Sequence, residues 1–476
     1  MLTTNKKTKV VCTIGPATTS EEKLEALLEA GMNVMRLNFS HGDFAEHTER
    51  VVNLRSVMKR TGKCAAILQD LGGPKIRIGT FEKGVVILKE GAFFTLTTDK
   101  IVGDEHRVSI NYPMFAKEVK KGDAVLLHDG KKRLEVVEVK GNNVKCKIIV
   151  GGEIKDKRGV NLPDSELSVS SITEKDRADL EFGIKNDVDF IALSFVRHPE
   201  DIIELREILK KRKSTAQIIA KIETPQAVAN IDKIIELADG IMVARGDLAI
   251  EVPAENVPLI QKMLIKKCNA VGKPVITATQ MLESMIKSPV PTRAEVSDIA
   301  NAILDGTDAI MLSEETTLGD FPIQAVEVMT RVAKRVESDC MHREVLLNSK
   351  KNADTKSRVS NAVTSEAVDL ADHVGAKFIV NLTYTGRAAR HVSRFKPSQF
   401  IIALTPHQKT CNQLALSFGV YPILIKKFES LTEAFNVVKK LFVIEKLAVK
   451  GDRVIILSGI PFGKAIDTNT ILVETI

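Results

Sequence analysis

Short apolar runs alternate along this chain with longer stretches whose apolar positions recur every three or four residues, the period-two and period-3.6 signals of strands and helices. Val10 to Ile14 reads as a strand ending at Gly15-Pro16, and Ser20 to Ala30 as a helix with Ser20 as N-cap and Gly31 as its stop. Val34 to Phe39 predicts the next strand, Glu46 to Arg60 the next helix, and Ala65 to Leu68 a third strand ending near Asp70. From Leu71 to about Ser170 the rhythm changes to short alternating strands with glycine turns. Examples are Val85 to Leu88, Phe93 to Thr97, Ala124 to Leu127 and Leu134 to Val139, with Gly141-Asn142-Asn143 as a turn signal. The strand–helix alternation returns at Thr173 and runs to about Ser338, with strands at Phe190 to Phe195, Ile218 to Ile222, Ile241 to Ala244, Val275 to Ala278 and Ala309 to Leu312.

Three strands before the β-rich stretch and five after it make eight, the count of a closed (β/α)8 TIM barrel, although an open doubly wound sheet has the same pattern. Past Arg343 comes a polar linker, Asn348 to Asp354, and then a second α/β unit with strands at Phe378 to Asn381, Ile401 to Leu404, Tyr421 to Ile425, Val454 to Leu457 and Ile471 to Val473. The expected division is a barrel from 1–70 plus 171–345, a β-rich insertion at 71–170 and a separate α/β binding unit at 346–476.

Composition narrows the class. A length of 476 residues suggests about three domains. Hydrophobic residues make up 44% with no tryptophan and three tyrosines, so an aliphatic core is expected. No apolar run approaches the ~20 residues of a membrane helix. The start, Met1 to Lys7, lacks the apolar stretch of a signal peptide, and a soluble cytoplasmic protein is the expectation. The six cysteines are scattered without C-x-x-C spacing, as in an enzyme with reduced thiols. A net charge of +7, spread among acids and not interleaved with aromatics, argues against nucleic-acid binding and suits a mildly basic phosphate pocket.

The candidate chemistry lies where the barrel strands end. In a strand, residues two apart share a face, so Lys221 and Glu223 point the same way, and Asp247 follows the next strand behind Gly246. Other strand ends carry Arg36 to Gly42, then Asp70, Lys75 and Arg77, then Thr277 and Thr279, then Ser313, Glu314 and Glu315. A satisfied ion pair explains one or two of these, but not their recurrence at one end of successive strands. Two carboxylates, Glu223 and Asp247, are too few for a calcium cage and match Mg2+ (or Mn2+), which completes its shell with water and substrate oxygens. Arg36, Arg77 and Lys221 are cations suited to phosphate, and a helix start at Arg245-Gly246-Asp247 would favour an anion. Cations, magnesium and N–H donors around one point suit phosphoryl transfer. No P-loop, G-x-G-x-x-G or H-E-x-x-H is present, the nearest miss being Gly459 to Ala465. Two other readings fit less well: a magnesium lyase or Schiff-base aldolase using Lys221, for which Arg36, Arg77 and Lys75 are excessive, and a non-catalytic metabolite sensor kept for its C-terminal unit.

Over essentially its whole length the sequence resembles the pyruvate kinase family. The motifs that carry the match are Thr13-Ile-Gly-Pro16, Met35-Arg-Leu-Asn-Phe-Ser-His-Gly42, Gly73-Pro74 with Ile76-Arg77, Lys157-Arg-Gly-Val-Asn-Leu-Pro163 and Ala220-Lys-Ile-Glu223. They continue with Val243-Ala-Arg-Gly-Asp-Leu248, Ala278-Thr-Gln-Met-Leu-Glu-Ser-Met285 and Met311-Leu-Ser313. The resemblance implies a barrel with a lid domain inserted after strand three, a C-terminal regulatory domain, a homotetramer, and phosphoenolpyruvate and ADP as substrates. It implies that Glu223 and Asp247 bind the divalent metal and that Lys221 neutralises the phosphoryl group in flight and the developing enolate. Arg36 would hold the phosphoryl group, and Thr279 with the Gly246 and Asp247 backbone the substrate carboxylate, Thr279 also lying on the proton path. Asn38, Ser40, Asp70 and Leu71 match the family's monovalent-cation site, and Asn38, His41, Arg77 and Arg158 positions near the nucleotide.

The chain departs from the family pattern in three places. Potassium-dependent members read Asp-Thr-Lys-Gly-Pro-Glu where this chain reads Asp70-Leu71-Gly72-Gly73-Pro74-Lys75. The Lys75 ammonium would supply the charge that potassium supplies and repel the ion, so no potassium requirement is expected. Ala249 stands where glycine is common, and Val169-Ser170 where the lid usually returns through Leu-Pro. In the C-terminal unit, Thr383, Thr385, Gly386 and Arg387 resemble the effector phosphate loop, with Ala388 where a hydroxyl is frequent and Ser458 nearby. A sugar-phosphate or AMP-like activator is expected there.

Overall fold

The computed structural model describes residues 6–339, 358–426, 431–444, 447–461 and 466–476. The expected linker at Asn348 to Asp354, the start Met1 to Asn5, Cys340 and most of the near-miss loop (462–465) lie outside the described residues.

Eight parallel strands close into a barrel: Lys9–Thr13, Val34–Asn38, Ala66–Asp70, Phe190–Leu193, Gln217–Ile222, Gly240–Ala244, Val275–Ala278 and Ala309–Leu312, the first pairing with both the second and the eighth. Closure excludes the open sheet. Along each strand the side chains alternate between two cores. Val10, Cys12, Ile218 and Ala220 face the surrounding helices, while Val11, Val34, Leu68, Ile219, Met242 and Ile276 fill the barrel interior. Ala415 and Leu416, from the C-terminal unit, join the interior cluster and stopper its floor. The inward set therefore continues toward the open end as Ile219, Lys221, Glu223 and as Val34, Arg36, Asn38.

Between the third and fourth barrel strands stands a six-stranded sheet in the order Val160–Asn161, Ala124–Leu127, Lys132–Lys140, Asn143–Val150, Phe93–Thr97, Arg107–Ser109, with Val85–Leu88 pairing Gly152–Lys155 beside it. It has its own aliphatic and phenylalanine core, including Phe94, Phe115, Leu134 and Val144. Gly141 takes φ +59° in the tight turn joining the two longest strands, a conformation glycine adopts freely. The C-terminal unit is a five-stranded sheet ordered Val420–Leu424, Phe400–Thr405, Phe378–Leu382, Arg453–Ser458, Thr470–Thr475, only the last strand antiparallel. No described helix is long and apolar enough to cross a membrane, and the five described cysteines are free.

One helix boundary differs from expectation for a chemical reason. The second helix starts at Phe44, not Glu46, because Asp43 caps it and Glu46 closes a capping box back onto Asp43. The third strand ends at Asp70, as expected, and carries the buried polar pair Gln69 and Asp70. Their partners come from elsewhere in the fold: Gln69 Nε2 donates to the Asp179 carbonyl, and Asp70 binds Arg36.

Candidate active site

The inward parity of the strands delivers their polar tips to one mouth. Lys221 Nζ, buried, lies 2.9 Å from Glu223 Oε1 and 3.2 Å from Asp70 Oδ1, and donates to Ser194 Oγ at 2.7 Å. Arg36 donates through Nε to Asp70 Oδ2 at 2.7 Å and through Nη1 to Thr13 Oγ1 at 2.8 Å. Burial works against the Lys221 charge, but Asp70, Glu223 and Asp247 outweigh it and hold the ammonium well above the ordinary lysine range. Burial likewise opposes ionised Asp70, yet Lys221 and Arg36 pull its carboxyl below the usual carboxylate range. Glu223 is pushed up by burial and by Asp247, with Lys221 pulling against them. One lysine thus serves several carboxylates, a charge pattern that leaves room for a further cation.

Backbone at this mouth is bent into sparsely populated conformations. Phe195, Thr279 and Gln280 take φ of +53°, +68° and +54°, which for a phenylalanine and a β-branched threonine is strained. The strain is held by polar contacts: Phe195 N–H donates to Glu223 Oε2 at 2.7 Å, and Arg245 donates to the Thr279 carbonyl at 2.7 Å and the Ala278 carbonyl at 3.2 Å while pairing with Asp298 at 2.7 Å. Gly246 N–H donates to Thr279 Oγ1 at 2.8 Å, which brings together two of the three groups expected around a substrate carboxylate. A Cβ at Gly246 would sit 3.3 Å from that same oxygen, so the glycine permits the approach.

Glu223 and Asp247 also pass a chemical test for a divalent cation. Glu223 Oε1 is buried and, although in ion-pair contact with Lys221, accepts no directed hydrogen bond. Asp247 lines the adjoining cleft. Two carboxylates suit an ion that fills the rest of its shell with water and substrate oxygens.

The cleft, about 370 Å³, lies between barrel and insertion and is lined by Lys75, Arg77, Lys157 and Arg158 on one side and Thr224, Asp247 and Glu251 on the other. Arg158 Nε is buried there without a partner among the described residues. Around the expected monovalent-cation site, Asn38 Oδ1 accepts the Ser40 N–H at 3.1 Å, Ser40 Oγ accepts Lys75 Nζ at 2.9 Å, and the Leu71 carbonyl accepts the Ser194 hydroxyl at 2.7 Å. His41 is exposed on the same rim.

Not every strand-end residue belongs to the site. Thr277 faces outward and bonds the Thr307 hydroxyl at 2.9 Å, because the inward parity of its strand falls on Ile276 and Ala278. Glu315 is buried and accepts the backbone N–H groups of Leu282 and Ser313, which makes it a loop staple. Conversely, Ser194, Thr13 and Arg245 hold the reacting groups and went without a role in the sequence reading. Inward strand parity signals Thr13, two residues after Val11, and Ser194, two after Ala192, but not Arg245. The C-terminal loop is remote from this mouth: Gly386 N–H donates to Thr383 Oγ1 at 3.0 Å, Arg387 pairs with Asp467 at 3.0 Å, and Thr385 is exposed. Ser458 Oγ and both side-chain polar atoms of Asn381, on adjacent strand ends, are buried without partners among the described residues.

Known proteins share this architecture. The chain matches the family described as pyruvate kinase, barrel domain, over residues 5–326, and that described as pyruvate kinase, alpha/beta domain, over 361–474. It is 46% identical over 474 residues to a pyruvate kinase of Geobacillus stearothermophilus, covering 99% of this chain and 80% of that one. It is also 46% identical over 470 residues to a pyruvate kinase of Thermotoga maritima, covering 98% and 99%. A crystal structure of a pyruvate kinase from Cryptosporidium parvum superposes with a TM-score of 0.95 at 38% identity, covering 99% of this chain and 97% of that one.

Proposed function

The chain belongs to the pyruvate kinase family, and from that premise we propose that the barrel mouth transfers the phosphoryl group of phosphoenolpyruvate to ADP, giving pyruvate and ATP. The observation that carries this reading is the Lys221 ammonium, buried between Asp70 and Glu223 in the field of Asp247, which lines a cleft rich in cations. An ADP β-phosphate oxygen bonds to phosphorus as the bond from phosphorus to the enol oxygen breaks, and the enolate takes a proton at carbon. Lys221 and Arg36 neutralise the phosphoryl oxygens and the enolate as charge develops. Thr279 and the Gly246 and Asp247 backbone orient the carboxylate, and Thr279 lies on the proton path. Arg77, Arg158, His41 and Asn38 take the nucleotide. Glu223 and Asp247 would hold Mg2+ or Mn2+, which when bound supplies positive charge shared between protein and substrate oxygens.

Potassium independence is part of this reading, supported by Lys75 Nζ donating to Ser40 Oγ, one of the positions where the family seats its monovalent cation. An activator carrying a phosphate is placed at the C-terminal loop of Thr383, Thr385, Gly386, Arg387 and Ser458, supported by the unpartnered Ser458 and Asn381 atoms. A cytoplasmic homotetramer completes it. A Schiff-base lyase is disfavoured, because that chemistry needs a lysine whose pKa is depressed and Lys221 is driven the other way. An assay coupling pyruvate formation from phosphoenolpyruvate and ADP to lactate dehydrogenase tests the reaction. Adding potassium at fixed ionic strength tests the cation, and adding sugar phosphates and AMP tests the activator. No pyruvate, or a many-fold gain with potassium, would contradict the corresponding part.

A further inference from the structure

The inserted lid is tethered to the barrel by two chain crossings, and at the second of them Arg197 donates to the Val169 carbonyl. Two tethers on a hinge leave a rotation free, and a third point of contact fixes it. Asn161 Nδ2, on the lid, donates to Glu251 Oε1, on the barrel, at 2.6 Å across the active cleft. Glu251 ends the helix Arg245–Glu251 and follows Asp247 at i+4, so the two carboxylates share one face of that helix. Beside them the lid turn at Gly130 rests on Ile250, where a Cβ on the glycine would come within 3.5 Å.

On the lid side, Asn161 moves as one piece with the arginines over the cleft. Its strand, Val160–Asn161, pairs with Leu127 and Leu126, and the segment before it is laced to Ile76 to Ile78: Ile78 N–H donates to the Arg158 carbonyl at 3.0 Å and Val160 N–H to the Ile76 carbonyl at 2.9 Å. Whatever fixes Asn161 therefore fixes Arg77 and Arg158. We propose that the Asn161–Glu251 hydrogen bond is the latch that sets the lid over the mouth, making Glu251 a positioning residue for the nucleoside diphosphate. This rests on reading the cleft as the nucleotide site. Lys221, Arg36 and Thr279, all on the barrel, do not depend on the lid angle, so the latch acts on nucleotide and not on phosphoenolpyruvate.

The test is steady-state kinetics of wild type, Glu251→Ala, Glu251→Gln, Asn161→Ala and the double alanine variant, with ADP and phosphoenolpyruvate varied separately. Each single alanine variant raises the KM for ADP ~10-fold and leaves that for phosphoenolpyruvate within ~2-fold. The double variant is no worse than either single one, and Glu251→Gln, which keeps an acceptor for Asn161, restores ADP binding. If Asn161→Ala does not fold, the contrast between the alanine and glutamine variants of Glu251 carries the same test. An unchanged KM for ADP, a multiplied effect in the double variant, or an equal shift for phosphoenolpyruvate overturns the latch. Wild-type protein that makes no pyruvate overturns the phosphoryl-transfer reading and the latch with it, whereas active wild type with indifferent variants overturns the latch alone.

Discussion

The two ends of the barrel both bury lysines and carboxylates, yet they set those lysines in opposite electrostatic surroundings. At the floor, Lys396 Nζ meets Asp308 Oδ1 at 2.8 Å, Phe418 N–H donates to the same oxygen, and Val275 N–H donates to the other. Lys9 Nζ donates to the Val420 carbonyl, and Lys409 lies 3.4 Å from Asp189. Lys409 also meets Asp187 at 2.8 Å, while burial pushes Lys9 down to about 8 and Lys396 below its ordinary range. At the mouth, Lys221 is shared by Asp70 and Glu223 in the field of Asp247, and its pKa is driven up. The floor is a seam between two folded units, whereas the mouth sets Lys221 among Asp70, Glu223 and Asp247 beside a cleft walled by Lys75, Arg77, Lys157 and Arg158. Buried ion pairs alone therefore do not mark chemistry. What sets the mouth apart is a lysine whose charge three carboxylates reinforce, next to strained backbone and a cation-lined cleft.

The largest effect that sharpens this contrast is on turnover. Lys221→Met lowers kcat by at least about a thousandfold in the lactate-dehydrogenase-coupled assay, since it removes the positive charge from the reacting centre. Lys396→Met leaves kcat nearly unchanged but strands Asp308, and chemical denaturation shows a loss of about 3–5 kcal/mol. A floor variant that abolishes turnover without unfolding would break the comparison.

Acid titration gives the next effect, with opposite signs at the two ends. Asp189, at the floor, is raised from 3.8 to about 6 by burial, against the pull of Lys409. The folded chain binds this proton more tightly than the unfolded one, so its contribution is fully present below the unfolded pKa and lost as pH rises through about 6, up to about 3 kcal/mol. Asp70, at the mouth, is depressed, so its contribution is present above its unfolded pKa and lost as pH falls through the folded one. Melting temperatures from about pH 2 to 7 lose the decline with rising pH in Asp189→Asn, while Asp70→Asn removes a loss at the acid end. The smallest effect is at the rim: Lys75→Glu makes turnover depend on potassium by roughly tenfold, ~1.4 kcal/mol of replaced charge, which the wild type does not show.

The sequence was most legible where a local rule carries the outcome. Eight apolar runs with a break after the third gave the barrel and its insertion, and the period of two put Lys221 and Glu223 on one face before any partner was known. It was least legible where partners arrive from other strands. The third strand ends at Asp70 as expected, but no local pattern names Asp179 and Arg36, which barrel closure brings to Gln69 and Asp70. Thr277 looked like a mouth residue until the parity of its own strand turned it outward. Arg245, which holds the strained Thr279 loop, is set by a contact 34 residues distant, beyond the reach of any local pattern, and the parity that turns Ser194 inward does not name Lys221, 27 residues on, as its partner.

The central claim is that a divalent cation is held at the mouth by Glu223 and Asp247, and a Mn2+ titration followed by electron paramagnetic resonance tests it without requiring turnover. The wild type and Lys396→Met should bind the ion alike, and Glu223→Gln and Asp247→Asn should each bind it at least about tenfold more weakly. Unchanged affinity in both mouth variants, or a loss confined to the floor variant, would contradict the account.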